Sequence, residues 1–327
     1  MTLPQDATGT PVALDDAARA HPRLAALIAS ARERAGASPM PLALVYPCDA
    51  LAIEATRAIA AAGIARPVLV GPGAGIERAN EAAGGQALDV DIVDTGADDA
   101  DAPLRAATRA TALARDGDVK ALMKGSLHTD TLMSAIVDRH AGLRGKRRIS
   151  HAFVFDLPRY HKLLALADCV VNIAPNLHTK QDILGNAIDL LQCLGIAHPK
   201  VAIVAAVETV NPAIPATVDA QALVGQARAG AWPGAIVEGP FGFDNAFSAQ
   251  AARTKHIVSD VAGDADLMLM PDLNAGNMLY KSFNYVGGGD CAGLVLGARV
   301  PIVLTSRADS LTARIASVAL AVLAGGT

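Results

Sequence analysis

Short apolar runs alternate along the chain with longer stretches whose apolar positions recur at helical spacing. Leu42–Tyr46, Pro67–Val70, Asp89–Val93 and Val119–Met123 have the length and character of buried strands. Between them, Ala-rich segments predict helices from Asp49 to about Gly63 and over Asp99–Asp116. A further helix is expected over Ala13–Gly36, interrupted at His21-Pro22. This alternation predicts a parallel, doubly wound sheet. A basic, turn-like segment, AGLRGKRRIS (141–150), breaks the pattern and reads as a domain boundary. Beyond it, strands are expected over His151–Phe155, Ala167–Ile173, Lys200–Val207, Ala235–Glu238 and Leu267–Met270. Helices are expected over about His178–Leu194, Asp219–Ala229 and Asn274–Tyr285, and after Asp244. The last unit is a short strand, Val300–Leu304, followed by a helix to about Leu323 with Asp309 or Ser310 as N-cap. Ile315, Val318, Ala319 and Val322 fall at i, i+3, i+4 and i+7, giving that helix one apolar face.

Composition narrows the class. The 327 residues suffice for two domains, and 52% are hydrophobic but only 3% aromatic. Such a chain builds buried sheets covered by Ala-rich helices. A net charge of −4 offers no global basic field for nucleic acid. No apolar run approaches the ~20 residues of a membrane helix. The start, MTLPQDATGT, lacks the basic and apolar regions of a signal peptide. Cys48, Cys169, Cys193 and Cys291 are widely spaced, without a CxxC pair, which fits reduced thiols and a cytoplasmic location.

Candidate chemistry lies in four loops that follow expected strands, where α/β sheets bind ligands. Lys124–Asp130 carries Lys124, Gly125, Ser126, His128 and Thr129; Glu238–Ser248 carries Asp244 and Asn245; Pro271–Lys281 carries Asn274, Asn277 and Lys281; Thr305–Ser310 carries Ser306, Arg307 and Asp309. Cations and hydroxyls with few carboxylates suit an anionic, phosphorylated ligand. The histidines are scattered over different elements, so no metal site is expected. Gly71-Pro-Gly-Ala-Gly75 lacks both the GxGxxG spacing and the Lys-Ser/Thr of a P-loop. No GxSxG elbow is present.

Seven segments together resemble the phosphate acetyl/butyryltransferase family, most nearly the transferase part of fused enoyl-CoA hydratase/phosphate acetyltransferase proteins. They are MKGSLHTD (Met123–Asp130), GLRGKRRISH (Gly142–His151), VNIAPNLHTKQDI (Val171–Ile183), AVETVNPAIPAT (Ala206–Thr217), EGPFGFDNAFS (Glu238–Ser248), PDLNAGNMLYKS (Pro271–Ser282) and LGARVPIVLTSRADS (Leu296–Ser310). The resemblance implies two doubly wound α/β/α domains with a cleft between them, an isocitrate/isopropylmalate dehydrogenase-like architecture. The first domain would comprise residues 1–148 and 297–327, with an inserted second domain, 149–296, forming a homodimer. It also implies that acyl-CoA and phosphate, acetyl or butyryl, interconvert with acyl phosphate and CoA, without metal or cofactor, CoA being a substrate. Ser306 would assist at the tetrahedral centre and Arg307 would bind the phosphoryl group. Lys124, Gly125, Ser126, Thr129, Asp244, Asn245, Asn277 and Lys281 would bind substrate. In the acetyltransferase branch a carboxylate seven residues after the serine is the proposed base; here Ala313 occupies that place. An Arg of the family pattern is likewise missing from Thr131-Leu-Met-Ser134. Asp309 and His128 remain as candidate bases. Two other classes stay open. An NAD-dependent decarboxylating dehydrogenase would need a carboxylate cluster, for which Asp260, Asp264, Asp266 and Asp272 are the nearest approach. A silent protein that binds CoA and phosphate would need only the binding loops.

Overall fold

A computed structural model describes residues 19–306 and 309–325. Packing divides the chain into two units, Met1–Lys146 with Ala292–Thr327, and Arg147–Cys291. The first contains α1 (Pro22–Ala35), β1 (Met40–Val45), α2 (Ala50–Ala62), β2 (Ala65–Gly71), α3 (Gly73–Ala82), β3 (Asp91–Asp94), α4 (Ala102–Asp116), β4 (Ala121–Lys124) and α5 (Thr129–Ile136). The second contains β5 (Ser150–Asp156), β6 (Leu164–Ala167), α6 (Leu177–Cys193), β7 (Lys200–Val204), α7 (Pro215–Arg228), β8 (Ile236–Phe241), α8 (Phe243–Phe247), α9 (Ala249–Thr254), β9 (Leu267–Leu269) and α10 (Leu273–Tyr285). The chain then runs through β10 (Asp290–Leu296) into β11 (Ile302–Val303) and α11 (Leu311–Ala324).

In the first unit the strand order is β3-β2-β1-β4-β11-β10. Neighbours from β3 to β11 are parallel, with Leu44 beside Met123 and Ile302 beside Leu122. β10 departs from the expected all-parallel sheet: it runs antiparallel to β11, Val295 facing Ile302. The link between them is too short for the crossover of a dozen or more residues that a parallel pair needs. The second unit has the order β5-β6-β9-β7-β8. It is parallel from β6 to β8, while β5 and β6 pair antiparallel for the same reason.

Capping marks the helix starts. Asp49, Asn176, Asp272 and Ser310 each accept a backbone N–H from the residue three positions on, satisfying a donor the helix leaves unpaired. Ser310, not Asp309, is therefore the N-cap of α11. α1 begins at Pro22, whose fixed φ suits a first helical turn; the earlier part of the expected helix, before residue 19, lies outside the described residues. The strand expected over Ala167–Ile173 is instead β6 plus a turn. The Asp168 carboxylate accepts the N–H groups of Val170 (2.8 Å) and Val171 (3.0 Å), which pulls the backbone out of the ladder.

α11 is the innermost helix of the first unit: every residue from Thr312 to Leu323 is buried, and it packs on α1 and α2. In the second unit an aromatic cluster forms much of the core. The Phe153 and Tyr280 rings stack at 4.2 Å between centroids, and Phe155 meets Phe283 edge-on at 5.2 Å.

Candidate active site

β1, β4 and β11 are adjacent and parallel, so their carboxyl ends open side by side. The loops that follow them enclose a recess in the first unit. Its polar lining is Asp49, Lys124, Thr305, Ser306 and Arg314, and its apolar wall includes Leu44, Leu51, Ala55 and Met123. Lys124, Gly125 and Ser306, proposed from sequence, thus meet at one place.

The β4 loop is held against the β1 loop by its backbone. Gly125 N–H donates to Val45 O (2.9 Å) and Ser126 N–H to Tyr46 O (2.9 Å). A Cβ on Gly125 would stand 2.6 Å from both Val45 O and Tyr46 O, so only glycine fits. The Ser126 hydroxyl donates to Tyr46 O (2.8 Å) and accepts from Cys48 N–H (3.1 Å). Its proton is committed, and its role here is to tie two loops together. The Lys124 ammonium reaches Gly125 O and Leu127 O, each at 3.2 Å, which holds the cation over its own loop. His128 occupies the N-cap position of α5, with His128 and Thr129 exposed and outside the recess lining.

On the β11 side, Ser306 is exposed and Asp309 half-buried. Asp309 Oδ2 accepts the Ser306 N–H at 2.6 Å, and Asp309 N–H donates back to Ser306 O at 3.2 Å. Arg307, the expected phosphate ligand, lies outside the described residues. Arg314 was not anticipated. It is 5% exposed, and it donates from Nη2 to Ser306 O (2.6 Å), from Nη1 to Thr305 Oγ1 (3.4 Å) and from Nε to Asp309 O (3.4 Å). Burial pushes its guanidinium pKa down, while Asp309, Asp49 and Glu54 support the charge. It is the only charged residue of α11, a sign visible in the sequence, because a charge in an apolar helix requires partners.

Next to the recess, the β1 loop carries a second polar cluster. Tyr46 Oη donates to Asp98 at 3.2 Å, and Asp98 pairs with Arg78. Burial, reinforced by the charge on Asp98, pushes the Cys48 thiol up to about 12, which leaves it protonated and unreactive at neutral pH.

In the second unit, Asp244 is exposed and pairs with Lys255 at 3.1 Å. Asn245, expected from sequence as a substrate contact, has no exposed surface here, and its Nδ2 donates to Glu208. Asn277 donates to Cys169 O at 3.2 Å, beside the close approach of Gly276 to Asp168 O. Lys281 is exposed on α10. Among the described residues no group of three or more His, Cys, Asp or Glu is placed to hold a metal ion, and no helix is long and apolar enough to cross a membrane.

The family model described as phosphate acetyl/butaryl transferase matches residues 97–322, more than half of the chain. The chain belongs to this family. Its phosphate acyltransferase relatives include the phosphate acetyltransferase of Rhizobium meliloti, 47% identical over 91% of this chain and 92% of that one. The probable phosphate butyryltransferase of Bacillus subtilis (strain 168) is 39% identical over 86% of this chain and 92% of its own. Among solved structures, a branched-chain phosphotransacylase from Enterococcus faecalis V583 superimposes with a TM-score of 0.75 at 28% identity, over 88% of this chain and 99% of the other.

Proposed function

We propose that this phosphate acyltransferase interconverts acetyl-CoA and phosphate with acetyl phosphate and CoA. The observation that carries the proposal is the recess lined together by Lys124, Ser306 and Arg314, two cations and a hydroxyl residue beside the carboxyl ends of adjacent parallel strands. A phosphate oxygen attacks the thioester carbonyl, the carbon–sulfur bond breaks, and the thiolate leaves; the reverse reaction retraces these steps. The cations favour the phosphate dianion and the leaving thiolate. The Ser306 hydroxyl donates to the oxyanion that develops on the carbonyl oxygen. Arg307 is the phosphoryl ligand in this reading, as the family resemblance implies. The reading includes neither metal nor cofactor, and it keeps Asp244, Asn277 and Lys281 as substrate contacts. A homodimer in the cytoplasm, an isocitrate/isopropylmalate dehydrogenase-like architecture and the narrower kinship with fused hydratase/transferase proteins belong to the same proposal.

Acetyl is chosen over butyryl because the more similar relative named above bears the acetyl name; the Bacillus subtilis and Enterococcus faecalis proteins favour a longer chain as the second reading. Purified protein given acetyl-, butyryl- and isobutyryl-CoA with phosphate, with free thiol as the readout, decides between them. Acetyl-CoA should give the highest kcat/KM, and Ser306→Ala should lower turnover by about 10²–10³-fold, the usual cost of one oxyanion donor. A higher kcat/KM for either longer thioester would move the assignment to that chain length. No phosphate-dependent thiol with any of them would refute the acyltransferase reading.

A further inference from the structure

We infer that Arg314 is a positioning residue for this reaction, its guanidinium setting Ser306 in place through the backbone carbonyls of Ser306 and Asp309. The inference rests on the acyltransferase reading above and assigns a role to a residue outside the loops that carry the family resemblance.

A guanidinium that is 5% exposed has lost most of its water, and such a charge persists only when its donors are used. Arg314 follows Ala313, the place where the acetyltransferase branch of the family carries its proposed base. A buried cation therefore stands next to the position where those members have a carboxylate. Its shortest bond, 2.6 Å, is to Ser306 O, on the residue whose hydroxyl faces the acyl group in the proposed mechanism. Nε reaches Asp309 O at 3.4 Å, and Asp309 Oδ2 in turn holds the Ser306 N–H. Both backbone polar groups of Ser306 are thereby fixed, its N–H by the Asp309 carboxylate and its C=O by Arg314. A planar fork presents donors to two carbonyls at once; an ammonium offers a single point from which to reach them. Arg314 also lines the recess, so its charge acts on the anions that enter without needing to touch them.

A purely structural role makes a different prediction, which allows a test. Arg314→Lys and Arg314→Met are compared with wild type for thermal midpoint, kcat and the KM values of CoA and phosphate. Arg314→Lys should remain folded at assay temperature and lose about 10–100-fold in kcat, the kinetic equivalent of about one charge-assisted hydrogen bond. Its KM for CoA should stay within about threefold, since the displaced group is Ser306 and not a CoA contact. Arg314→Met should lose more than Arg314→Lys. Arg314→Gly should regain at least about tenfold in kcat when guanidinium ion is supplied at low millimolar concentration, whereas Ser306→Ala should not respond. If Arg314→Met does not fold, the Lys variant decides alone. Wild-type kcat in Arg314→Lys, or a loss that follows only the unfolded fraction, would overturn the inference. Failure of the acyltransferase reading is distinguishable, because wild type would then release no CoA thiol with phosphate.

Discussion

Asp309 offers the sharpest test of how this site works without the carboxylate that Ala313 replaces. Two roles are open to it, and Asn and Ala separate them. As a base, Asp309 loses its function equally in Asp309→Asn and Asp309→Ala, at a cost of about 10²–10⁴-fold in kcat. As the acceptor that fixes Ser306, it holds a backbone N–H at 2.6 Å through a carboxylate oxygen. A charge-assisted bond of that kind is worth about 1.5–3 kcal/mol and a neutral one about 0.5–1.5 kcal/mol. Asparagine keeps a carbonyl acceptor of the same reach, so Asp309→Asn should forfeit roughly 1 kcal/mol, less than tenfold in kcat/KM. Alanine removes the bond and should cost about 10–150-fold. Asp309 is half-buried, which places both figures toward the lower ends of their ranges. The assay is release of free CoA thiol from acetyl-CoA at saturating and subsaturating phosphate, with thermal midpoints to exclude unfolding. The acceptor role predicts a steep order, wild type, then Asn, then Ala. A loss beyond about 10³-fold in Asp309→Asn, with folding and CoA binding intact, refutes it and makes Asp309 the base.

Gly125→Ala should lower the unfolding free energy by about 1–3 kcal/mol, read as a fall in thermal midpoint, because its Cβ would meet two backbone oxygens that cannot move aside singly. An unchanged midpoint would mean that the β1 and β4 loops separate easily. His151 is buried; burial lowers its pKa to about 4, against an opposing pull from Asp168. The unfolded chain therefore binds the extra proton first, so this contribution to stability is complete above about pH 6.5 and is lost as pH falls toward 4. Chemical unfolding of wild type and His151→Gln across that range should show the difference, and parallel curves would contradict it. Cys48, with its thiol pushed up to about 12, should react with iodoacetamide at pH 8 at least about 100-fold more slowly than a free thiol, as peptide mass spectrometry will report.

What the sequence made legible follows from the range of the forces involved. Strand–helix alternation and caps are local, and the Asp49 and Ser310 caps were readable because each depends on residues within one turn, whereas the single apolar face expected for α11 understates a helix buried on all sides. The antiparallel pairs β10–β11 and β5–β6 were legible in principle from the shortness of their connections, but the regular alternation around them suggested an all-parallel sheet. The strand expected beyond Ala167 failed because one carboxylate, Asp168, competes with the ladder for N–H groups, and apolar runs carry no record of that competition.

The site divides along the same line. Loops after strands could be identified one by one, and Lys124, Gly125 and Ser306, named from such loops, line one recess. Whether a polar side chain in a loop faces a ligand or another loop depends on partners far away in sequence. Ser126 and Asn245 have such partners: one bonds 80 residues away to Tyr46, the other 37 residues away to Glu208. Arg314 is the converse case. Periodicity scores how well a helix face suits the core, and by that measure an arginine among Ile315, Val318 and Ala319 is a blemish to be averaged out. Pairing gives the opposite reading, because a charge kept inside an apolar helix must have something to hold. The three oxygens it reaches belong to Thr305, Ser306 and Asp309, the segment the sequence had already selected for its chemistry. The lone charge in the apolar helix thus singles out Arg314 as a residue with partners, and the fold supplies which partners they are.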